Sequence, residues 1–210
     1  MCLKKPFGPC SILIIFAPMI NIAVFASGEG TNAENLFNYF STSSKVKIKL
    51  VVTNNENAGI VAKAEKYRKN LQIISKTSLN NYTEQLIDFL QTEKVDLIVL
   101  AGFLLKIPEG LVKAFPNRII NIHPALLPKF GGHGMYGMNV HKAVIEAKEQ
   151  HTGITVHFVN EEYDKGEIIL QAKCEVNEND TPETVAKKIH ELEYEYFPKA
   201  VQKVIDDLLP

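Results

Sequence analysis

Five short apolar runs rich in β-branched residues punctuate the first 123 residues of this 210-residue chain: INIAVFAS (20–27), KIKLVVTN (47–54), LQIIS (71–75), VDLIVLAG (95–102) and RIINIH (118–123). Between them lie longer amphipathic stretches with helical spacing, at roughly 32–42, 57–69, 81–93 and 108–115. Runs that are apolar throughout, rather than at alternate positions, belong to strands covered on both faces. With helices between them, they predict a parallel sheet clad on two sides and joined by right-handed crossovers. After Gly153 the pattern changes. TGITVHFVN and EIILQAKCEV are neighbouring strand candidates joined by EEYDKG, which predicts an antiparallel addition. A long helix then closes the chain, with Thr181 as N-cap and Pro182 in its first turn. Pro198 is predicted to kink or interrupt it. No internal repeat or linker appears, so the fold class is α/β: one domain, a mostly parallel twisted sheet of about seven strands, and a Rossmann-like N-terminal half.

Composition narrows the function. An apolar fraction of 46% and a charged fraction of 22% describe an ordinary globular protein. A formal net charge of −1 gives no bulk attraction for nucleic acid or an anionic membrane, so neither is expected as a partner. Cys2, Cys10 and Cys174 are too few and scattered for a disulfide framework, which suits a reducing, cytoplasmic setting. The opening segment carries Lys4 and Lys5 ahead of an apolar run, as a signal peptide does. Cleavage near Ala26 would remove the first core strand, however, and Pro18 breaks the run. Residues 1–18 are therefore expected to be a non-native or misassigned extension, with the domain occupying 19–210.

Three places carry chemistry. ASGEGTN (26–32) follows the first strand and opens a helix; Gly28 and Gly30 allow close backbone approach, and free N–H groups at the helix start favour an anion. The full dinucleotide fingerprint is absent, so a single phosphate fits better than a pyrophosphate; a Gly-rich turn with no ligand is the alternative. NIHPALLPKFGG (121–132) begins at the carboxyl edge of the fifth strand, where open α/β sheets bind ligands. Asn121 and His123 are two apart and face one side. A neutral amide donor and a protonated imidazole together suit an oxyanion growing on a carbonyl carbon. Alone, each residue reads equally well as a loop hydrogen-bonding group. Asp164, in the turn before Gly166, is simple turn chemistry unless it meets His123 and raises its pKa. His157 reads as a satisfied sheet histidine and is left outside the catalytic set. His133, His141 and His151 lack metal-ligand spacing, and no metal is expected.

SGEGTN, LAGFLLKIP, NIHPALLPKFGG, TGITVHFV, the D-x-G-x-I-I-L-Q run and an E-x-x-x-F-P in the last helix occur in this order. Residues 20–207 thereby resemble the phosphoribosylglycinamide formyltransferase family of folate-dependent enzymes. The resemblance implies the formyltransferase fold and transfer of a formyl group from 10-formyltetrahydrofolate to the amine of glycinamide ribonucleotide, a step of purine synthesis, without a metal. It implies Asn121, His123 and Asp164 as the catalytic set. Gly30, Thr31, Asn32, His190 and Glu193 would take the ribonucleotide, with Glu193 against its amine or ribose. Leu104, Leu105, Lys106 and Ile107, with Asn121 and the segment Asn160, Glu161, Glu162, Tyr163 and Asp164, would hold the folate. The arginine that some family members place against the folate tail falls at Leu79 here, the second pterin-segment position is Leu105 rather than arginine, with Lys106 next to it, and the GGHGMYGMNVH loop is slightly longer than in the shortest relatives. A monomer or homodimer is implied. Two other readings differ in product: a formyltetrahydrofolate hydrolase, using water in place of the amine, and a non-catalytic nucleotide-binding module needing none of the three catalytic residues.

Overall fold

The computed structural model describes residues 19–209; residues 1–18, read above as an extension, lie outside the described residues. The five apolar runs form β1 (Ile20–Phe25), β2 (Val46–Thr53), β3 (Asn70–Ile73), β4 (Leu97–Leu100) and β5 (Ile119–His123), all parallel. β6 (His151–Phe158) pairs antiparallel with β5, and β7 (Ile168–Glu175) antiparallel with β6. The resulting seven-stranded sheet has the order β3-β2-β1-β4-β5-β6-β7. Strand alternation divides the core. Ile22, Val24, Leu97, Val99, Ile120 and Ile122 face one side, which α1 (Thr31–Tyr39) and α7 (Pro182–Leu208) cover. Ala23, Phe25, Ile98, Leu100 and Ile119 face the other, beneath α4 (Thr83–Thr92) and α5 (Glu109–Ala114). Burial on both faces is what the continuous apolar runs require. No helix of the described residues is long and apolar enough to cross a membrane.

The chain winds outward from β1 to β3 and then returns to β4 on the other side of β1. That reversal opens a crevice at the carboxyl ends of β1 and β4. Ser27 ties its two lips together: its hydroxyl donates to Asn54 Oδ1 at 2.5 Å and accepts from the Leu104 N–H at 2.9 Å.

Three elements differ from the sequence reading. The helix predicted over 81–93 is α4, but a short helix that was not predicted, α3 (Lys76–Asn81), precedes it, the two parted at Tyr82 (φ −124°, ψ 35°). Ser75 starts the earlier one by accepting the Ser78 N–H at 2.9 Å. A helix α6 (Met138–Glu146) follows the glycine-rich loop where none was predicted; α2 (Gly59–Lys66) completes the set. Finally, α7 is continuous through Pro198. Proline's missing N–H leaves the carbonyl four residues earlier without its helical partner. That carbonyl belongs to Tyr194, and the Asn35 side-chain amide donates to it at 2.7 Å. Asn35→Ala is accordingly expected to leave a carbonyl unpaired between α1 and α7 and to destabilise the protein by about 1–3 kcal/mol, read as a lower urea midpoint at unchanged m-value.

Candidate active site

The carboxyl ends of β1, β4 and β5, the loop before α6, the β6–β7 loop and one face of α7 enclose a single cavity of about 880 Å³. Gly30, Thr31, Asn32, Leu104, Leu105, Lys106, Ile107, Asn121, His123, Asn160, Glu162, Tyr163, Asp164, His190 and Glu193 all line it. Of the residues expected there, Glu161 alone does not: it is exposed beside the turn that Asn160 Oδ1 makes by accepting the Glu162 N–H. The side chain of Glu162 pairs outward with Lys165.

At one end, Gly30 precedes α1 in a left-handed conformation (φ 72°), and a Cβ there would lie 2.6 Å from Ile60 Cδ1. Glycine is needed on both counts, and it frees the first N–H groups of the helix toward the cavity. Asn32 Nδ2 donates to Glu193 Oε2 at 2.9 Å, joining the two segments expected to share a ligand. Glu193 is 7% exposed, and His190, one helical turn before it, approaches the same oxygen at 3.0 Å. That contact with Glu193 raises the His190 pKa.

At the other end, antiparallel register places Asn121 opposite His157 and His123 opposite Thr155. Thr155 is buried and pins the loop after His123, donating to the Ala125 carbonyl at 2.7 Å and accepting from the Leu127 N–H at 3.0 Å. Asp164 reaches in from the β6–β7 loop with φ 54°. Its Oδ2 accepts the Gly132 N–H at 2.8 Å and lies 3.6 Å from His123 Nδ1; its Oδ1 lies 3.6 Å from His157 Nε2. The loop can turn there because Gly166 lets the chain pass Phe158 so closely that a Cβ would stand 1.7 Å from its carbonyl oxygen. The loops carrying His123 and Asp164 therefore meet.

His157 belongs to this cluster although its alternation with Val156 and Phe158 reads as plain sheet. Its Nδ1 lies 2.8 Å from the Phe158 carbonyl, which can only accept, so Nδ1 carries a proton. In the neutral ring Nε2 is then an acceptor, and Asn121 Nδ2 donates to it at 3.2 Å. This fixes which way the Asn121 amide points and leaves its second N–H for the cavity. No signal in the sequence marks it: the register of β6 against β5 is what sets His157 across from Asn121.

The raising effect of Asp164 on the His123 pKa is present as expected, but it is not the largest effect on the ring. Burial pushes its pKa below the ordinary value and outweighs the opposing effects of Asp164 and the Phe130 carbonyl. The ring, 3% exposed, lies between two acceptors, with Nε2 2.7 Å from the Phe130 carbonyl and Nδ1 3.6 Å from Asp164 Oδ2. For Asp164, burial works upward, but the nearby His157, the Gly132 N–H and His123 together hold the carboxyl below its usual range. His141, also buried, is lowered by desolvation. Below the ordinary histidine value of 6.5 the unfolded chain binds protons at His123 and His141 that the folded chain does not. These rings thus contribute stability that is present above that pH and lost as pH falls. His190 acts in the opposite sense, but its side chain is 66% exposed and its effect is small. The urea midpoint is expected to fall between about pH 7.5 and 5.5, and a flat profile would show these rings already charged in the fold.

A mostly parallel sheet with a glycine turn after its first strand thus gathers an amide, an imidazole and a carboxylate on one cavity. The chain belongs to the formyl transferase family, whose model matches residues 20–201. Within that family it is similar to the phosphoribosylglycinamide formyltransferases. The chloroplastic protein of that name from Arabidopsis thaliana is 41% identical over 191 residues, covering 89% of this chain and 65% of the plant protein, so the chain spans just under two thirds of that relative. The Haemophilus influenzae phosphoribosylglycinamide formyltransferase is 36% identical over 88% of this chain and 86% of its own length. The crystal structure of the Anaplasma phagocytophilum protein superposes with a TM-score of 0.81 at 35% identity, covering 90% of this chain and 88% of that one.

Proposed function

We propose that residues 19–210 form a phosphoribosylglycinamide formyltransferase domain that moves the formyl group of 10-formyltetrahydrofolate to the amine of glycinamide ribonucleotide, yielding formylglycinamide ribonucleotide and tetrahydrofolate. The observation that carries this reading is the gathering of Asn121, His123 and Asp164 on a cavity that the Gly30 turn, Asn32 and Glu193 also line. The ribonucleotide phosphate binds the N–H groups at the start of α1, and Glu193 takes the ribose or amine. The folate lies along Leu104–Ile107 and the 160–164 loop, where Lys106 stands 5.4 Å over the Tyr163 ring. The reaction belongs to a reducing compartment, the cytoplasm, and to a monomer or homodimer.

The neutral amine attacks the formyl carbon, and the carbonyl electrons move onto oxygen. The free N–H of Asn121 meets that charge. His123 meets it too, its Nε2 exchanging one acceptor, the Phe130 carbonyl, for another, the oxyanion. Such donors are each worth about 3 kcal/mol of barrier. The ammonium formed on the attacking nitrogen loses a proton, relayed by Asp164 through solvent, to the folate nitrogen. The carbonyl then re-forms, the C–N bond to folate breaks, and both product nitrogens carry one hydrogen. While the oxyanion persists, it and Asp164 both favour a cationic His123, reversing the effect of burial only when the charge is needed.

Mixing purified protein with both substrates is expected to give formylated ribonucleotide and tetrahydrofolate in equal amounts. Formate release without ribonucleotide would make the chain a hydrolase, and binding without turnover a nucleotide module. Glu193→Gln is expected to raise the KM for ribonucleotide roughly 10- to 100-fold, the loss of one charged hydrogen bond, while changing the folate KM little in steady-state assays.

A further inference from the structure

The reaction above leaves His141 without a task. It lies in the first half of α6, is 4% exposed, and lines the same cavity. Its Nδ1 is closed off from solvent and has no hydrogen-bond partner among the described residues. An unpartnered buried ring nitrogen is costly, and folded proteins carry few of them. Filling space does not account for it, because an aliphatic side chain would fill the position without the penalty, as Val140 and Val144 of the same helix do. The ring instead lines the cavity together with Glu193, His190 and His123, and all three act on it electrostatically.

Burial keeps this ring neutral, with one N–H and one lone pair. A proton on Nδ1 would bury an unpaired donor, which is rarer and costlier than an unpaired acceptor. The tautomer that avoids this carries its proton on Nε2, the ring's other nitrogen, and offers a neutral donor to the cavity. Of the ribonucleotide's parts, the phosphate falls to the start of α1 and the ribose or amine to Glu193. The carbonyl oxygen of the glycinamide arm is taken by neither, and it is a pure acceptor that a neutral N–H suits.

We propose that His141 is a ribonucleotide-binding residue whose Nε2–H donates to the carbonyl oxygen of the glycinamide arm and so aims the terminal amine at the formyl carbon. This rests on the formyl-transfer reading of the site. A neutral donor is the right kind here, because a cation beside the arm would repel a protonated amine arriving at Glu193, whereas an uncharged N–H orients the arm in either protonation state of the amine.

The test compares the wild type with His141→Phe, which fills the volume without a donor, and His141→Asn, which restores an N–H. The KM for ribonucleotide is expected to rise about three- to tenfold in His141→Phe, the loss of one neutral hydrogen bond, and to recover in part in His141→Asn. The folate KM and inhibition by ribose 5-phosphate, which lacks the arm, are expected to stay within twofold. In the wild type, ¹⁵N spectra of the histidine rings are expected to show His141 as the Nε2–H tautomer, with its Nε2 signal moved by saturating ribonucleotide and not by ribose 5-phosphate. An unmoved signal overturns the assignment even if neither variant folds, as does an unchanged KM in His141→Phe. A loss in His141→Phe that ribose 5-phosphate inhibition shares equally makes the role one of packing and also overturns it. Wild-type formyl transfer alongside any of these leaves the proposed function standing, whereas a wild type inert toward the ribonucleotide removes both.

Discussion

Asp164→Asn is expected to lower kcat about 10²- to 10⁴-fold, the range of a lost proton-transferring group, while ribonucleotide affinity stays within about threefold. The substitution is nearly isosteric. An asparagine oxygen can still accept the Gly132 N–H that Oδ2 now takes at 2.8 Å, so the loop stays anchored. What disappears is the negative charge 3.6 Å from both His123 and His157. Burial already holds His123 below its ordinary pKa, and Asp164 is the main force opposing it. Without that charge the ring cannot become cationic as the oxyanion forms, and the proton leaving the amine loses its relay. Steady-state kinetics with both substrates, alongside calorimetric titration of the ribonucleotide, separates the two effects. Turnover close to that of the wild type would remove Asp164 from the chemistry and leave it a turn residue.

His123→Ala is expected to cost about 10²–10³ in kcat, the value of one oxyanion donor, again with the ribonucleotide bound normally at the far end of the cavity. The ring is 3% exposed, so truncation opens a void and some stability is lost as well. Two readings separate catalysis from packing. Activity per folded molecule, measured below the unfolding transition, must still fall by the stated factor. Added imidazole, small enough to enter the void, is expected to restore part of kcat without changing the KM for ribonucleotide. If imidazole rescues nothing and His123→Asn turns over like the wild type, a donor at this position is not what the reaction needs.

The sheet was readable because its strands are buried on two sides. Ile98, Val99, Ile119 and Ile120, all at most 1% exposed, could not have come from an alternating pattern. Asn121 and His123 were readable as a pair because their spacing at a strand end admits one geometry. What sequence could not supply was anything fixed by partners far away. His157 joins the site only through the register of β5 against β6, and Asp164 only through a left-handed turn made possible at Gly166. Pro198 is tolerated because Asn35, 163 positions earlier, caps the carbonyl it leaves unpaired. Helix α6 escaped notice because it follows a run of glycines and buries only Val140, His141 and Val144. The net pKa of His123 was not legible for the same kind of reason: the raising effect of Asp164 was expected and is present, whereas the depth of burial opposing it cannot be read from a sequence.

The central claim is that donors on Asn121 and His123 receive the charge that appears on the formyl oxygen. A crystal structure with ribonucleotide and a folate ketone analogue that hydrates to a tetrahedral carbon tests it most directly. One hydroxyl of the hydrate is expected within about 3 Å of both Asn121 Nδ2 and His123 Nε2, with the Phe130 carbonyl displaced from the ring and Asn121 still bonded to His157. A hydrate whose oxygens face solvent, with His123 Nε2 still on Phe130, would contradict it.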